Sequence, residues 1–187
     1  MIEAVYDANV LYSASLRDFL LRLASPRLVK PYWSKEIQNE WMRSLFRNRL
    51  DLLPERLERT RREMDAWFPK SLVIGYEHLI PTLQLPDPDD RHVLAVAIHA
   101  KVPLIVTSNL KDFPADALAR YHVEAISPDD FVLRVIEHDP EGFIATVAKH
   151  RPLLQRPPKT AEEYIDTLRR QGLTKTVAFL EQHRDEI

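Results

Sequence analysis

Ile2-Glu3-Ala4-Val5-Tyr6-Asp7, at the head of the chain, reads as a short apolar strand that stops on a carboxylate. A second run, Pro103-Leu104-Ile105-Val106-Thr107, has the same character, and Asp112 lies just beyond it. Both acids therefore fall at the carboxyl ends of predicted strands, the edge where open parallel sheets form their ligand sites. Short strand-like runs alternating with helical periods imply an α/β fold, with a parallel sheet covered on both faces.

The segments between these runs support that reading. Ser13 is a natural N-cap for a stretch carrying Leu16, Phe19, Leu20 and Leu23 at helical spacing. A second helix is predicted from about Ser34, with Ile37, Trp41, Leu45 and Phe46 inward, and Pro54 suits the first turn of a third, which reaches about Trp67. Leu72-Val73-Ile74 reads as a short strand. Pro86-Asp87-Pro88-Asp89-Asp90 stops the chain and caps a helix with Val93, Ala97 and Ala100 on its apolar side. A short helix around 114–120, a strand at 122–126 and a helix from Pro128 to about Glu137 follow.

From Asp139 the strand signal is lost. Helical patterns at about 140–149, 160–170 and 174–184 are separated by the proline-rich link Arg151–Pro158 and by Gly172. The expected organisation is one α/β domain over 1–138 and a small helical extension over 139–187, too short to bury much core alone.

Composition excludes several classes. The chain of 187 residues is 45% hydrophobic and holds no cysteine, which removes disulfide scaffolds, thiolate zinc sites and cysteine nucleophiles. No apolar stretch approaches the roughly 20 residues of a membrane span, and no basic segment precedes an apolar one at the start. A soluble, cytoplasmic protein without membrane association is expected. The net charge of −2 argues against nonspecific coating of nucleic acid but leaves room for a local basic surface.

Asp7, Glu40, Asp90 and Asp112 are the acids this fold would present together. Carboxylates forced close repel one another, raising the proton affinity of at least one unless a cation neutralises them. The seven histidines show no metal-ligand spacing. An all-oxygen donor set suits a hard ion, so magnesium or manganese is expected in preference to zinc or copper. Such an ion activates water and stabilises charge on a phosphoryl oxygen, and phosphodiester hydrolysis fits that equipment.

Four segments carry a family resemblance. They are Val5-Tyr6-Asp7-Ala8-Asn9-Val10-Leu11, Trp33-Ser34-Lys35-Glu36-Ile37-Gln38-Asn39-Glu40, Leu85 to Ala95 around Asp90, and Val106-Thr107-Ser108-Asn109-Leu110-Lys111-Asp112-Phe113. In this order they resemble the PIN-domain ribonucleases, and more narrowly the VapC-like toxins of type II toxin-antitoxin pairs, over about residues 1–135. The resemblance implies a three-layer α/β/α domain and a metal-dependent endoribonuclease that leaves a 5′-phosphate and a 3′-hydroxyl. It maps the acidic quartet, as catalytic residues and ligands of Mg2+ or Mn2+, onto Asp7, Glu40, Asp90 and Asp112. It further implies an RNA substrate, a cognate antitoxin and a homodimer. The helical tail departs from the minimal toxin and resembles a longer subgroup.

Several of these residues have competing readings. Glu36 and Glu40 are an i,i+4 pair, so either can face inward; the motif match favours Glu40. One of Asp87, Asp89 and Asp90 is expected to be an N-cap, with Asp89 the reserve for Asp90 as ligand. Asn9, Thr107 and Asn109 are expected to support the site through the turns that follow the strands. Trp41 is read as core and His92 as a surface or interhelix residue. Seven arginines lie between Arg43 and Arg62; Arg43 and Arg47, on the helix of Glu40, are the better phosphate candidates, the rest reading equally as solvated helix faces. Two rivals remain: an aspartate-nucleophile phosphatase, weakened because Asn9 stands where a second acid is wanted, and a noncatalytic PIN-fold scaffold that binds RNA or protein.

Overall fold

The computed structural model of the protein describes residues 1–24, 28–49, 51, 53–155 and 157–187; Arg156 of the proline-rich link lies outside the described residues. In chain order the first elements are β1 (Ile2–Tyr6), α1 (Ala8–Tyr12), α2 (Ala14–Arg22), β2 (Val29–Ser34), α3 (Lys35–Asn48), α4 (Pro54–Trp67) and β3 (Leu72–Val73). There follow α5 (Arg91–Ala100), β4 (Leu104–Val106), α6 (Ala115–Ala119), β5 (Glu124–Ile126), α7 (Pro128–His138), α8 (Pro140–His150), α9 (Ala161–Arg170) and α10 (Thr174–Gln182). The chain forms two compact units, one of residues 3–12 and 31–126, the other of 1–2, 13–30 and 127–187.

The first unit holds a five-stranded sheet in the order β3-β2-β1-β4-β5. Strand β1 pairs parallel with β4 (Val5 opposite Ile105), β2 with β3, and β4 with β5. This is the parallel α/β class expected. Strand β2 is not predicted from the sequence, because Pro31 lacks an amide donor and demotes the run Val29-Lys30-Pro31-Tyr32-Trp33 as a strand. The order reverses between β1 and β4, so their carboxyl ends flank the crevice where such sheets bind ligands. Asp7 and Thr107 follow directly on those ends.

Apolar burial fixes the helices that carry the site. Ile37, Trp41 and Leu45 recur along one face of α3 and are buried, and Ser34 caps the helix by accepting from the Ile37 amide at 3.2 Å. Asp65 of α4 accepts from Trp33 Nε1 at 3.1 Å and from Gln38 Nε2 at 2.9 Å, tying α4 to β2 and α3. Helix α5 is buried along His92–Ala97.

The second unit is helical. Phe143 meets Phe19 and Phe179 edge-on, at 6.4 and 6.0 Å between ring centroids. His150 Nε2 lies 2.7 Å from Asp18 and its Nδ1 2.9 Å from the Tyr164 hydroxyl. Helix α10 has no side-chain cap of its own. Asp129, on α7, supplies one, accepting from the Lys175 and Thr176 amides at 2.8 and 2.9 Å and from the Thr174 and Thr176 hydroxyls. Asp129→Ala is expected to destabilise this unit by about 2–3 kcal/mol, since it strands buried donors at a helix start. Urea unfolding followed by circular dichroism checks this, and an unchanged midpoint would contradict it. Among the described residues no helix is long and apolar enough to cross a membrane.

Candidate active site

Asp7 is 4% exposed and held from three sides. Its Oδ1 accepts from the Ala8 amide at 2.6 Å, and its Oδ2 from the Thr107 hydroxyl at 2.8 Å and from Asn9 Nδ2 at 2.5 Å. Thr107 Oγ1 also accepts from Asn9 Nδ2 at 2.9 Å and from the Asn109 amide at 3.0 Å. One donor and two acceptor positions are all a hydroxyl has, so Thr107 is fully engaged. Asn9 spends both amide hydrogens this way, and its Oδ1 accepts from the Ser108 amide at 2.9 Å. Asn9 and Thr107 therefore brace Asp7 and join the β1 and β4 turns. Asn109 Nδ2 donates to Asp112 Oδ2, which places that carboxylate in the same loop.

The segment before α5 divides its three acids by role. Asp87 caps the 3-10 turn at Pro88–Asp90, accepting from the Asp89 amide at 2.9 Å. Asp90 opens α5 without spending its carboxylate on a cap bond. Oxygens of Asp87, Asp90 and Asp112 lie within 4.8 Å of one another. Burial and then the negative charges of Asp7, Asp87, Asp112 and Glu40 push the Asp90 carboxyl up to about 7. Asp90 is thus where the fields of all the other site acids meet. Burial also raises Asp7, against the lowering effect of its Thr107 and Ala8 hydrogen bonds.

Helix α3 settles which of its acids faces the site. Glu36 pairs with Arg43 at 2.6 Å, both partly exposed. Glu40 lines a cleft of about 930 Å3 together with Asp7, Asn9, Asp89 and Asp90. His92 Nε2 stands 3.1 Å from Glu40 Oε1, an ion-pair distance off hydrogen-bond alignment. Burial favours the neutral imidazole, but the Glu40 carboxylate, with Glu36 and Asp7 behind it, outweighs this and raises its pKa above the ordinary 6.5. His92 is 6% exposed, an interhelix residue beside an acid of the site. Sequence reasoning did not pair it with Glu40; the available signal is an imidazole in the first turn of a mostly apolar helix. Trp41 is fully buried.

The donor set fits a hard divalent ion. Ligand oxygens on an ion with bonds of about 2.1 Å lie at most about 4.2 Å apart, so a cluster spread over 4.8 Å needs only small side-chain rotations to close. The strongest charges acting on Asp90 are carboxylates, which a cation would neutralise. Of the expected quartet only Asp90 and Asp112 belong to this cluster, with Asp87 as the third member where the sequence held Asp89 in reserve; Asp7, Glu40 and Asp89 line the cleft beside Asp90.

The PIN domain family model matches residues 3–111, more than half of the chain. The chain belongs to the PIN-domain family. Behind this PIN domain, residues 128–182 match the family of the VapC50 C-terminal domain, so the helical tail has relatives of its own. A Mycobacterium tuberculosis protein, VapC50, named as a candidate ribonuclease, is 37% identical over 98 residues. The match spans 52% of this chain and 57% of that protein, so the chain covers little more than half the length of its relative. No solved structure matches the chain.

Proposed function

We propose that the protein is a metal-dependent endoribonuclease that acts as the toxin of a toxin-antitoxin pair. The observation that carries this reading is the gathering of carboxylates at the switch point of the sheet, Asp87, Asp90 and Asp112 within 4.8 Å of one another and Asp7 and Glu40 lining the same cleft as Asp90. Membership of the PIN family and the relative named as a candidate ribonuclease support it. Asp7, Glu40, Asp90 and Asp112 are proposed to hold Mg2+ or Mn2+, with Asp87 as a further oxygen donor. When bound, such an ion lowers the pKa of water and stabilises charge on the phosphoryl group.

The chain's own residues supply the rest. Asn9 and Thr107 fix the Asp7 carboxylate, Asn109 fixes Asp112, and the His92 imidazole stands 3.1 Å from Glu40. Arg43 and Arg47 line the cleft on the same helix as Glu40 and are proposed to bind phosphates of the RNA flanking the cleaved bond. Elsewhere in this arginine-rich stretch the charges are paired locally, Arg49 with Asp51, Arg59 with Glu63 and Arg61 with Glu58. The products are proposed to carry a 5′-phosphate and a 3′-hydroxyl.

A cognate antitoxin that blocks the cleft, a homodimer, a cytoplasmic setting and the division into a nuclease domain over 1–138 and an extension over 139–187 belong to the same proposal. Incubating RNA with purified protein in Mg2+, Mn2+ or chelator tests the activity: discrete fragments with either ion and none in chelator are expected. Cleavage in chelator, or none with either ion, would favour a contaminant or a binding scaffold.

The arginines make a separate expectation. Arg47→Ala is expected to weaken RNA binding evenly across sequences and to reduce the salt slope by about 0.7, one phosphate contact on a single strand. Glu36→Gln releases Arg43 from its ion pair and is expected to tighten binding at low salt. Fluorescence anisotropy across a salt series reads both, and parallel slopes for wild type and Arg47→Ala would remove Arg47 from the phosphate path.

A further inference from the structure

The cleft has a second wall that phosphate binding and cleavage leave without a role. Tyr12, the last residue of α1, and Phe46, on α3, line the same cavity as Asp7, Glu40, Arg43 and Arg47, and both are half-buried. Neither is needed as the anchor of its helix. Helix α3 is held by Ile37, Trp41 and Leu45, and α1 by Val10 and Leu11, all buried. Asn48 Nδ2 donates to the Tyr12 hydroxyl at 3.3 Å, which restrains the ring and leaves the phenol its own proton to donate. Single apolar residues on a surface need no explanation. Two aromatics sharing a cleft with guanidinium and carboxylate groups do.

We infer that Tyr12 and Phe46 form a subsite for an unpaired nucleobase of the RNA strand, next to the phosphate held at the carboxylates. This rests on the ribonuclease reading and adds a recognition element to it. A base presents an apolar π-face to an aromatic ring whatever its identity, and stacking of this kind is a main source of affinity for single strands. Tyr12 and Asp7 line the same cleft, so a base on the ring and a phosphate at the carboxylates can belong to one strand. Arg43 and Arg47 then meet the phosphates on either side of the stacked base. A duplex would have to unstack to reach the wall, so the subsite selects single strands and loops.

Equilibrium binding in chelator tests the subsite without requiring cleavage. Fluorescently labelled single-stranded RNAs, each with one base removed to leave an abasic ribose, are titrated with the full chain and with Tyr12→Leu, Phe46→Leu and Tyr12→Phe. In the wild type, one or two adjacent abasic positions are expected to weaken binding roughly 5- to 100-fold. Tyr12→Leu and Phe46→Leu keep apolar volume without a ring face; each is expected to weaken the intact RNA and to remove most of the abasic penalty. Tyr12→Phe retains the ring and is expected to retain the penalty, which also separates lost stacking from a damaged fold.

An equal abasic penalty in wild type and both leucine variants, or no sensitive position in the wild type, would overturn the subsite. The second result is also what a cleft shaped for a protein segment would give. Cleavage of the same intact RNA in Mg2+ or Mn2+ scores the nuclease separately. Base-sensitive binding without cutting keeps the subsite and removes the nuclease, whereas cutting without a sensitive base does the reverse.

Discussion

Replacing Asp7 by asparagine is expected to lower RNA cleavage at least about 100-fold while the protein stays folded. Changes to groups that merely orient a metal ligand cost about 10- to 100-fold, and Asp7 would be a ligand itself. The substitution removes a charge and also creates a conflict of donors. Both Asp7 oxygens accept hydrogen bonds, from Ala8 on one side and from Thr107 and Asn9 on the other. An amide NH2 at position 7 must face one of these donor sets, and the Thr107 hydroxyl has no acceptor capacity left to adapt. Against this, a carboxylate that burial disfavours is removed, so the net effect on stability is expected to be small. Initial rates on RNA, measured beside thermal unfolding, check both parts. Full activity in a folded Asp7→Asn protein would take Asp7 out of the site.

Asp90→Asn is expected to be more stable than the wild type without divalent ions and less stable than it when they are bound. The Asp90 carboxyl is pushed up to about 7, so between about pH 4 and pH 7 the folded protein keeps a proton that the unfolded chain has released. Stability from this group therefore falls as pH rises through that window, and the full penalty is present above about pH 7. Asparagine carries no such penalty. In chelator at pH 8 the variant is expected to be the more stable protein by on the order of 1–2 kcal/mol, after discounting for solvent screening, and the difference should vanish near pH 4.

Divalent ions act in the opposite sense. They bind the wild-type cluster and stabilise it, by about 2.7 kcal/mol when the ion stands at 100 times its dissociation constant. The variant has lost a donor and should gain little. Each kcal/mol corresponds to about 2–4 °C in a chain of this size, within reach of calorimetry. Equal stabilisation of both proteins by Mg2+ or Mn2+ would place the ion elsewhere.

The legible parts of the fold were those in which local pattern and tertiary role agree. Strands β1 and β4 are short, mostly apolar runs that end on polar residues, among them Asp7 and Thr107, so the carboxyl edge that holds the site could be read directly, whereas the switch point needed the strand order. Strand β2 could not be read this way. Pro31 is a poor strand residue, and its tolerance beside β1 depends on pairing that no local pattern records. The short helix α1 was hidden because five residues are too few for a helical period to show. The tail's helices were legible, but not their grouping with α2, which follows from contacts such as His150 with Asp18 across 132 positions.

The candidate site divides in the same way. Glu36 and Glu40 are equivalent by spacing, and only the positions of Arg43 and His92 separate them. Among Asp87, Asp89 and Asp90, the expectation of a cap was sound in type, but its owner depended on the 3-10 turn at Pro88–Asp90, whose geometry gives the role to Asp87. The proximity of Asp87 to Asp112 is a tertiary fact without a sequence signal.

The most direct test of the proposed carboxylate-held ion is a Mn2+ titration read two ways on the same samples, occupancy by electron paramagnetic resonance and initial rate of RNA cleavage. The wild type is expected to bind and cut with the same half-saturation, and Asp7→Asn and Asp90→Asn to lose both together. Cutting in chelator, or variants that cut like the wild type without bound Mn2+, would contradict the account.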